Sequence, residues 1–382
     1  MADHPVTLIP GDDPGRAPEE GTGLCLSGGG YRAMVFHLGA LWRLYEAGLL
    51  KDVRRISSVS GGSITAGVLA LKWRKLSFDP ARVRDDFAAE VVAPVRRLAG
   101  ETIDAESIIL GIVLPGRISD KVTAAYEEHL FGKATLQDLP DEPRFVINAT
   151  NVQSGVLWRF MKPYMRDYRV GEVRSPTIPL ARAVAASSAF PPVLSPVEMR
   201  LDADSFTPKS GDGLQRPPFT SKVILTDGGV YDNLGLETVW KCLRTVLVSD
   251  GGGKFGAEEE PGSDWARHSL RVLDLIDSQV RALRKRQLID SFAAKPGDAA
   301  HRGGAYWGIR TDIANYGLAD ALPCPTSRTM ELAETPTRLQ RLDEGRQERL
   351  INWGYAVCDA ALRAHVASGL APGRFPYPQA GV

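Results

Sequence analysis

Short apolar runs alternate along the chain with stretches whose apolar residues recur every three or four positions. Gly23-Leu24-Cys25-Leu26 predicts a first strand. Tyr31 to Gly48 predicts a helix, with Val35, Leu38, Leu41, Trp42 and Tyr45 on one face and Gly48 as its stop. Val53 to Val59 reads as a second strand. Ser63 to Leu76 reads as a helix whose small residues Ala66, Gly67 and Ala70 suit close packing on a sheet. Residues 77–140 form a helical insertion that contains the apolar run Ile108 to Leu114 before Pro115. Arg144 to Asn148 and Val156 to Met161 predict two strands around a Thr-Asn-Val-Gln-Ser-Gly turn. Pro179 to Ser188 predicts a short helix ended by Pro191-Pro192. Val223 to Thr226 and Thr245 to Ser249 predict buried strands, residues 270–283 a helix, and Thr335 to His365 one or two more. Such alternation predicts an α/β fold with a mostly parallel sheet and crossover helices. Residues 256–370 follow as a C-terminal helical extension packed on the same domain. Residues 1–20 and 371–382, rich in Pro and Gly, read as loose tails.

Composition narrows the partners. Lys plus Arg and Asp plus Glu number 46 each, so the net charge is zero and nucleic acid is not an expected partner. The four cysteines are scattered, with no C-x-x-C pair, so neither a metal site nor a disulfide framework is expected. No basic-then-apolar leader opens the chain, and no run of about 18 apolar residues occurs. A cytoplasmic location is expected, with at most peripheral contact with a membrane surface. Oligomeric state is not legible.

Two glycine-flanked turns carry the candidate chemistry. Ser58-Val59-Ser60-Gly61-Gly62 lies between a strand and a helix, close to the small-x-Ser-x-Gly nucleophile elbow. The elbow is strained and crowded, so small residues must flank the nucleophile. Ser57, Ser58 and Ser63 compete with Ser60, but only Ser60 has a strand-like run before it and two glycines after it. In Ser27-Gly28-Gly29-Gly30-Tyr31-Arg32, the amides of Gly28, Gly29 and Gly30 form an oxyanion site, and Arg32 adds a cation or orients the loop. Gly28-x-Gly30-x-x-Ala33 also fits the dinucleotide fingerprint, but the second strand ends in serines and glycines where a ribose-binding acid is required. No cofactor is therefore expected.

The base is less distinct. Among six histidines, only His268, His301 and His365 fall late enough for an α/β-hydrolase order, and none sits on a catalytic turn. Asp227-Gly228-Gly229 and Asp250-Gly251-Gly252 each follow a buried strand, at the end where sites gather. Spacing alone does not separate them.

Taken together, Gly28 to Arg32, Ser58 to Gly62 and Asp227-Gly228-Gly229-Val230-Tyr231-Asp232-Asn233 resemble the patatin-like phospholipase family of serine acylhydrolases. Asn148-Ala149-Thr150 and Ala186 to Pro192 add weaker matches. The resemblance spans roughly residues 20–255, which sets a catalytic domain at 21–255. It implies a three-layer α/β/α fold and a Ser–Asp dyad of Ser60 and Asp227, because Val-Tyr-Asp-Asn follows only Asp227. Gly28 to Gly30 then hold the oxyanion. Two positions depart from the pattern: Ser58 and Ala33 stand where glycine is usual. The implied activity is hydrolysis of acyl esters in phospholipids or related lipids through an acyl-serine, without metal. A general carboxylesterase or thioesterase and a catalytically silent lipid-binding module are the alternatives. Ile108 to Leu114 reads as a buried helix or a lid. The basic cluster Arg281, Arg284, Lys285 and Arg286 reads as a solvated helix face or a contact for lipid phosphates.

Overall fold

The computed structural model describes residues 17–103, 117–253 and 255–382. Strand β1 (Glu19–Leu26) shows how the layers arise. Leu24 and Leu26 point into the large core, while Cys25 points into a smaller cluster on the opposite face with Leu234, Val239, Val246 and Leu288. This period-two split of an apolar run is what a strand covered on both faces requires.

Among the described residues the sheet has ten strands. β1 lies between β2 (Val53–Val59) and β9 (Leu243–Asp250), parallel to both. β3 (Arg144–Asn151) continues beyond β2, and β10 (Gly303–Gly308) beyond β9, again parallel. An antiparallel wing extends from β3 through β4 (Val156–Phe160), β5 (Tyr164–Asp167) and β6 (Gly171–Arg174). β7 (Val197–Arg200) pairs with β8 (Lys222–Asp227), which pairs antiparallel with the end of β3. The three-layer α/β/α arrangement with a parallel centre is as expected. Of the wing, β4 is the strand expected from Val156 to Met161; β5, β6, β7 and β10 are additions that the apolar runs did not announce, because they are short and mixed in polarity.

Helices α1 (Gly30–Glu46) and α2 (Gly61–Lys72) each begin at the end of a parallel strand. The insertion contains a π-helical turn (Ala88–Val92), α3 (Ala93–Ala99), α4 (Arg117–Tyr126) and a second π-helical turn (Glu127–Phe131). The run Ile108 to Leu114 lies outside the described residues. α5 (Leu180–Ser187), α6 (Gly229–Asp232) and α7 (Glu237–Trp240) are short. The extension supplies α8 (Trp265–Ala293), α9 (Thr326–Ala333) and α10 (Glu344–His365).

The extension is built into the core. α10 crosses α1 at two glycines: a Cβ on Gly39 would overlap the Ile351 carbonyl, and one on Gly354 would overlap the Phe36 carbonyl. The buried Arg43–Asp359 ion pair, 2.7 Å, spans the same crossing. Residues 371–382, expected to be a loose tail, are docked instead. Asn352 Nδ2 donates to the carbonyls of Tyr377 (2.8 Å) and Gly381 (2.7 Å), and the Tyr377 ring packs edge-on against Trp42. One buried Asn and two aromatic rings thus fix a segment that composition marks as mobile. Gly39→Ala is expected to destabilise the protein by about 1–3 kcal/mol through overpacking. Gly345→Ala, which meets only a side-chain oxygen at 3.4 Å, should be neutral or stabilising by up to about 1 kcal/mol. Thermal unfolding of the two variants checks the contrast.

Candidate active site

The register of β3 brings the two distant motifs together. β4 occupies one edge of β3 from Ile147 to Asn151. The other edge is shared: β2 runs along it until Val59 pairs with Asn148, and β8 takes over where Asp227 pairs with Ala149. Ser60, the residue after Val59, therefore leaves the sheet where Asp227 ends its own strand.

Ser60 occupies φ 53°, ψ −123°, a conformation that costs a non-glycine residue about 1–3 kcal/mol. The strain is held from several sides. The Ser60 amide donates to Ser187, whose Oγ lies at 3.0 Å and whose carbonyl lies at 3.2 Å. Ser187 Oγ in turn donates to the Asn148 carbonyl at 2.6 Å and lies 2.8 Å from Ser63 Oγ. Ser63 reaches Ser58 Oγ at 3.0 Å, and Ser58 donates to the Val146 carbonyl at 3.3 Å. The serine at position 58 is thus a fully buried link between β2 and β3. Ser57 is also fully buried, accepting from Asn148 Nδ2 and Thr238 Oγ1. Of the four competing serines, only Ser60 lines the cavity. Its flanking glycines are required: a Cβ on Gly61 would overlap the Gly30 carbonyl, and one on Gly62 the Leu26 carbonyl.

Asp227 lines the same cavity and is almost fully buried. Its Oδ1 accepts the Gly229 amide at 2.7 Å. Burial raises its pKa from 3.8 to about 7. The Gly229 amide and the Ser60 hydroxyl pull it down, and Asp277 pushes it up. The hydroxyl lies near enough to influence the carboxyl but not in full hydrogen-bond geometry, so Oδ2 has no satisfied partner. Loose contacts of this kind are common in catalytic pairs before substrate binds.

Asp250 looks the same in sequence and differs in surroundings. Its Oδ1 accepts the Gly252 amide at 2.9 Å and its Oδ2 the Tyr306 hydroxyl at 2.7 Å. Burial pushes its pKa up, but Arg281 and these hydrogen bonds outweigh burial and leave it below the ordinary carboxylate value. A carboxylate so satisfied is a poor base. The histidines sit elsewhere. His268 is exposed on α8, His301 bonds the Ala294 carbonyl, and His365 packs on Tyr316. His37, which sequence reasoning passed over, is buried between Ser249 Oγ (2.8 Å) and the Ser27 carbonyl (2.9 Å). Burial lowers its pKa to about 4, so it stays neutral and ties the glycine loop to β9.

The glycine loop departs from expectation at Gly28, and of the two readings of Arg32 the loop-orienting one fits, not a place in the oxyanion site. The Gly28 amide donates to the Asn233 carbonyl at 3.0 Å, so it is not free for an oxyanion. Gly28 must still be glycine, because a Cβ would overlap the Asn233 side chain and lie 3.0 Å from Ser60 Cβ. Arg32 points away from the cavity: Nε donates to Gly251 O at 3.0 Å and Nη1 to Thr335 O. A buried guanidinium requires such acceptors, and this one braces loops. Gly29 (φ 143°) and Gly30 (φ 60°) do line the cavity, at the N-terminus of the 17-residue α1. The 12-residue α2 starts at Ser60, so two positive helix ends converge there.

The cavity, of about 510 Å³, is within the range that holds small ligands. Phe190 to Leu194 form one apolar wall. The remaining lining was not foreseen where it comes from the extension: Leu270, Leu273, Asp274 and Asp277 of α8, and residues Thr337 to Leu339. The Arg338 carbonyl also accepts the Tyr31 amide at 3.0 Å. Among the described residues, no three His, Cys, Asp or Glu side chains are grouped as a metal would need.

Comparison with known proteins bears on the fold and the family. The fold is similar to that of human GIVD cytosolic phospholipase A2, with a TM-score of 0.52 and 13% identity over 91% of this chain and 61% of the other. The same human enzyme in complex with methyl gamma-linolenyl fluorophosphonate and terbium chloride aligns with a TM-score of 0.50 and 14% identity, over 90% and 59% of the two chains. VipD from Legionella pneumophila aligns at 0.38 and 15%, over 91% and 68%. The chain thus spans about three-fifths of the human enzyme's length. No curated protein sequence matches it. The family model described as patatin-like phospholipase matches residues 24–240, more than half of the chain and all three glycine-flanked motifs, and the protein belongs to the patatin-like phospholipase family.

Proposed function

We propose that this protein is a lipid acyl hydrolase that cleaves acyl esters of phospholipids or related lipids with a Ser60–Asp227 dyad. The observation that carries the reading is a carboxyl of pKa about 7, buried beside a strained serine in one cavity. Asp227 accepts the Ser60 proton as Ser60 Oγ attacks the ester carbonyl. Negative charge develops on the carbonyl oxygen, and the Gly29 and Gly30 amides, with the two helix ends behind them, stabilise it. The ester C–O bond breaks, the leaving alcohol takes the proton from Asp227, and an acyl-serine remains. Water, deprotonated by Asp227, attacks the acyl-serine; the ester C–O bond to Ser60 breaks, Asp227 returns the proton to Ser60 Oγ, and the fatty acid leaves. Metal and cofactor take no part in this scheme. The apolar Phe190–Leu194 wall suits an acyl chain. A cytoplasmic enzyme meeting its substrate at a membrane surface is the setting this reading implies.

Ser60→Ala and Asp227→Asn are each expected to lower kcat at least about a thousandfold on a short-chain p-nitrophenyl ester. Asp250→Asn should keep kcat within about tenfold. Retained turnover in a folded Ser60→Ala protein, or equal losses at the two aspartates, contradicts the dyad. Hydrolysis of a phospholipid panel separates a lipase from a general esterase or thioesterase.

The raised pKa fixes two pH dependences. Asp227 must be ionised to act, so kcat/KM should rise about tenfold per pH unit below about 7 and level off above it. Between the ordinary carboxylate pKa and about 7, the folded state binds a proton that the unfolded state has lost. Stability should therefore fall as pH rises through that window. Asp227→Asn removes the slope, so the inactive variant should be more stable than wild type by about 1 kcal/mol or more at about pH 8. Thermal unfolding across pH measures this.

A further inference from the structure

Asn233 stands at the reacting centre twice, once through its main chain and once through its side chain. Its carbonyl takes the Gly28 amide at 3.0 Å, which removes one of the three expected loop donors from the oxyanion site. Its carboxamide lines the catalytic cavity beside the place that amide gives up. A Cβ built on Gly28 would overlap Asn233 Oδ1 and lie 3.0 Å from Ser60 Cβ. A Cβ built on Gly229 would lie 2.8 Å from the same Oδ1 and 3.0 Å from Asp227 Oδ1. The carboxamide therefore reaches into the gap between the serine, the carboxyl and the glycine loop.

The side chain is otherwise unused. Among the described residues, the Asn233 carboxamide makes no hydrogen bond. Its main chain, by contrast, is fixed on both sides. The Asp232 amide donates to the Gly228 carbonyl at 2.9 Å, the Asp232 carboxylate accepts the Leu234 and Glu237 amides, and Leu234 is fully buried. A free donor group on a rigid support is what a preorganised oxyanion site needs. Either end of an Asn carboxamide can face a given direction, because its terminal torsion is broad and roughly two-fold. Other donors nearby are committed. Arg32 braces loops, Arg281 bonds the Gly253 carbonyl, and Ser188, which also lines the cavity, donates to the Val184 carbonyl at 2.8 Å.

We propose that Asn233 is a further catalytic residue, whose Nδ2–H donates to the oxyanion formed as Ser60 attacks the ester carbonyl, in the place the Gly28 amide gives up. The inference rests on the acyl hydrolase reading. A neutral donor suits this position. A cation beside Asp227 would stabilise its carboxylate and weaken it as a base, whereas a carboxamide adds no net charge. It acts on charge that develops only in the transition state.

Asn233→Ala isolates the side chain, because alanine keeps the carbonyl that holds Gly28. On a short-chain p-nitrophenyl ester it should lower kcat about 100- to 1,000-fold and leave KM within about threefold of wild type. Asn233→Asp has the same shape and no N–H donor when ionised, so it should lose at least as much. In Asn233→Ala the inflection of kcat/KM at pH about 7 should stay in place, since the carboxamide acts on the oxyanion and not on Asp227. Thermal unfolding identifies the folded variants. Either folded variant within about threefold of wild-type kcat overturns the inference. So does a displaced inflection in Asn233→Ala with full turnover on its plateau, which assigns the side chain to Asp227. Wild type without ester turnover sinks the hydrolase reading and this inference together, whereas undiminished variants of an active enzyme sink this inference alone.

Discussion

One edge of one strand brings Ser60 and Asp227 together. Because β2 and β8 share the same side of β3, meeting at Asn148 and Ala149, their ends stand next to each other. A parallel sheet gathers strand ends along one rim, but by itself sets neighbouring ends a strand apart. Here an antiparallel strand enters the space that β2 vacates, so the residue after one strand faces the last residue of the other. Much of the surrounding detail holds this junction. Ser187 ties the Ser60 turn to the Asn148 carbonyl, Thr150 Oγ1 donates to the Asp227 carbonyl at 2.9 Å, and the Asp227 amide bonds Ala189 at 3.0 Å. Strain at Ser60 persists because the hydroxyl network and two steric glycines leave the turn little room to relax.

The contrast between Asp227 and Asp250 shows how environment assigns roles to identical motifs. Both are buried and both accept an amide two residues on. Tyr306 and Arg281 satisfy Asp250, whereas Asp227 Oδ2 has no hydrogen-bond partner, the Ser60 hydroxyl acts on the carboxyl only weakly, and Asp277 adds like charge. Desolvation prevails at one site and is outweighed at the other, so the two pKa values move in opposite directions. The Val-Tyr-Asp-Asn sequence after Asp227 also gains a physical meaning. Asn233 holds Gly28 through its carbonyl, and Asp232 caps the following turn by accepting the Leu234 and Glu237 amides. The Asp227 motif and the glycine loop are therefore one assembly.

Much of this was legible in the chain. The parallel strands other than β10 announced themselves as short apolar runs, and the serine and glycine turns as steric necessities, because Gly61, Gly62 and Gly28 have no room for a Cβ. The rest depended on contacts between distant residues. No local pattern says that the Gly28 amide is taken by Asn233, that Arg32 turns to the carbonyls of Gly251 and Thr335, or that Asp250 has a tyrosine partner. The docked segment 371–382 was missed for the same reason, since Asn352 that fixes it is distant in sequence. α8 misleads differently. Its amphipathic period is plain, but part of its inward side lines the cavity rather than the core.

The central claim is that Ser60 is made nucleophilic by Asp227. It is tested most directly by treating the folded protein with an alkyl fluorophosphonate and mapping the adduct by mass spectrometry. The account predicts a single modified peptide bearing the phosphonyl group on Ser60, formed faster as pH rises through about 7 and nearly absent in Asp227→Asn. Labelling at another serine, or at Ser60 with equal speed in the Asp227→Asn protein, would contradict it.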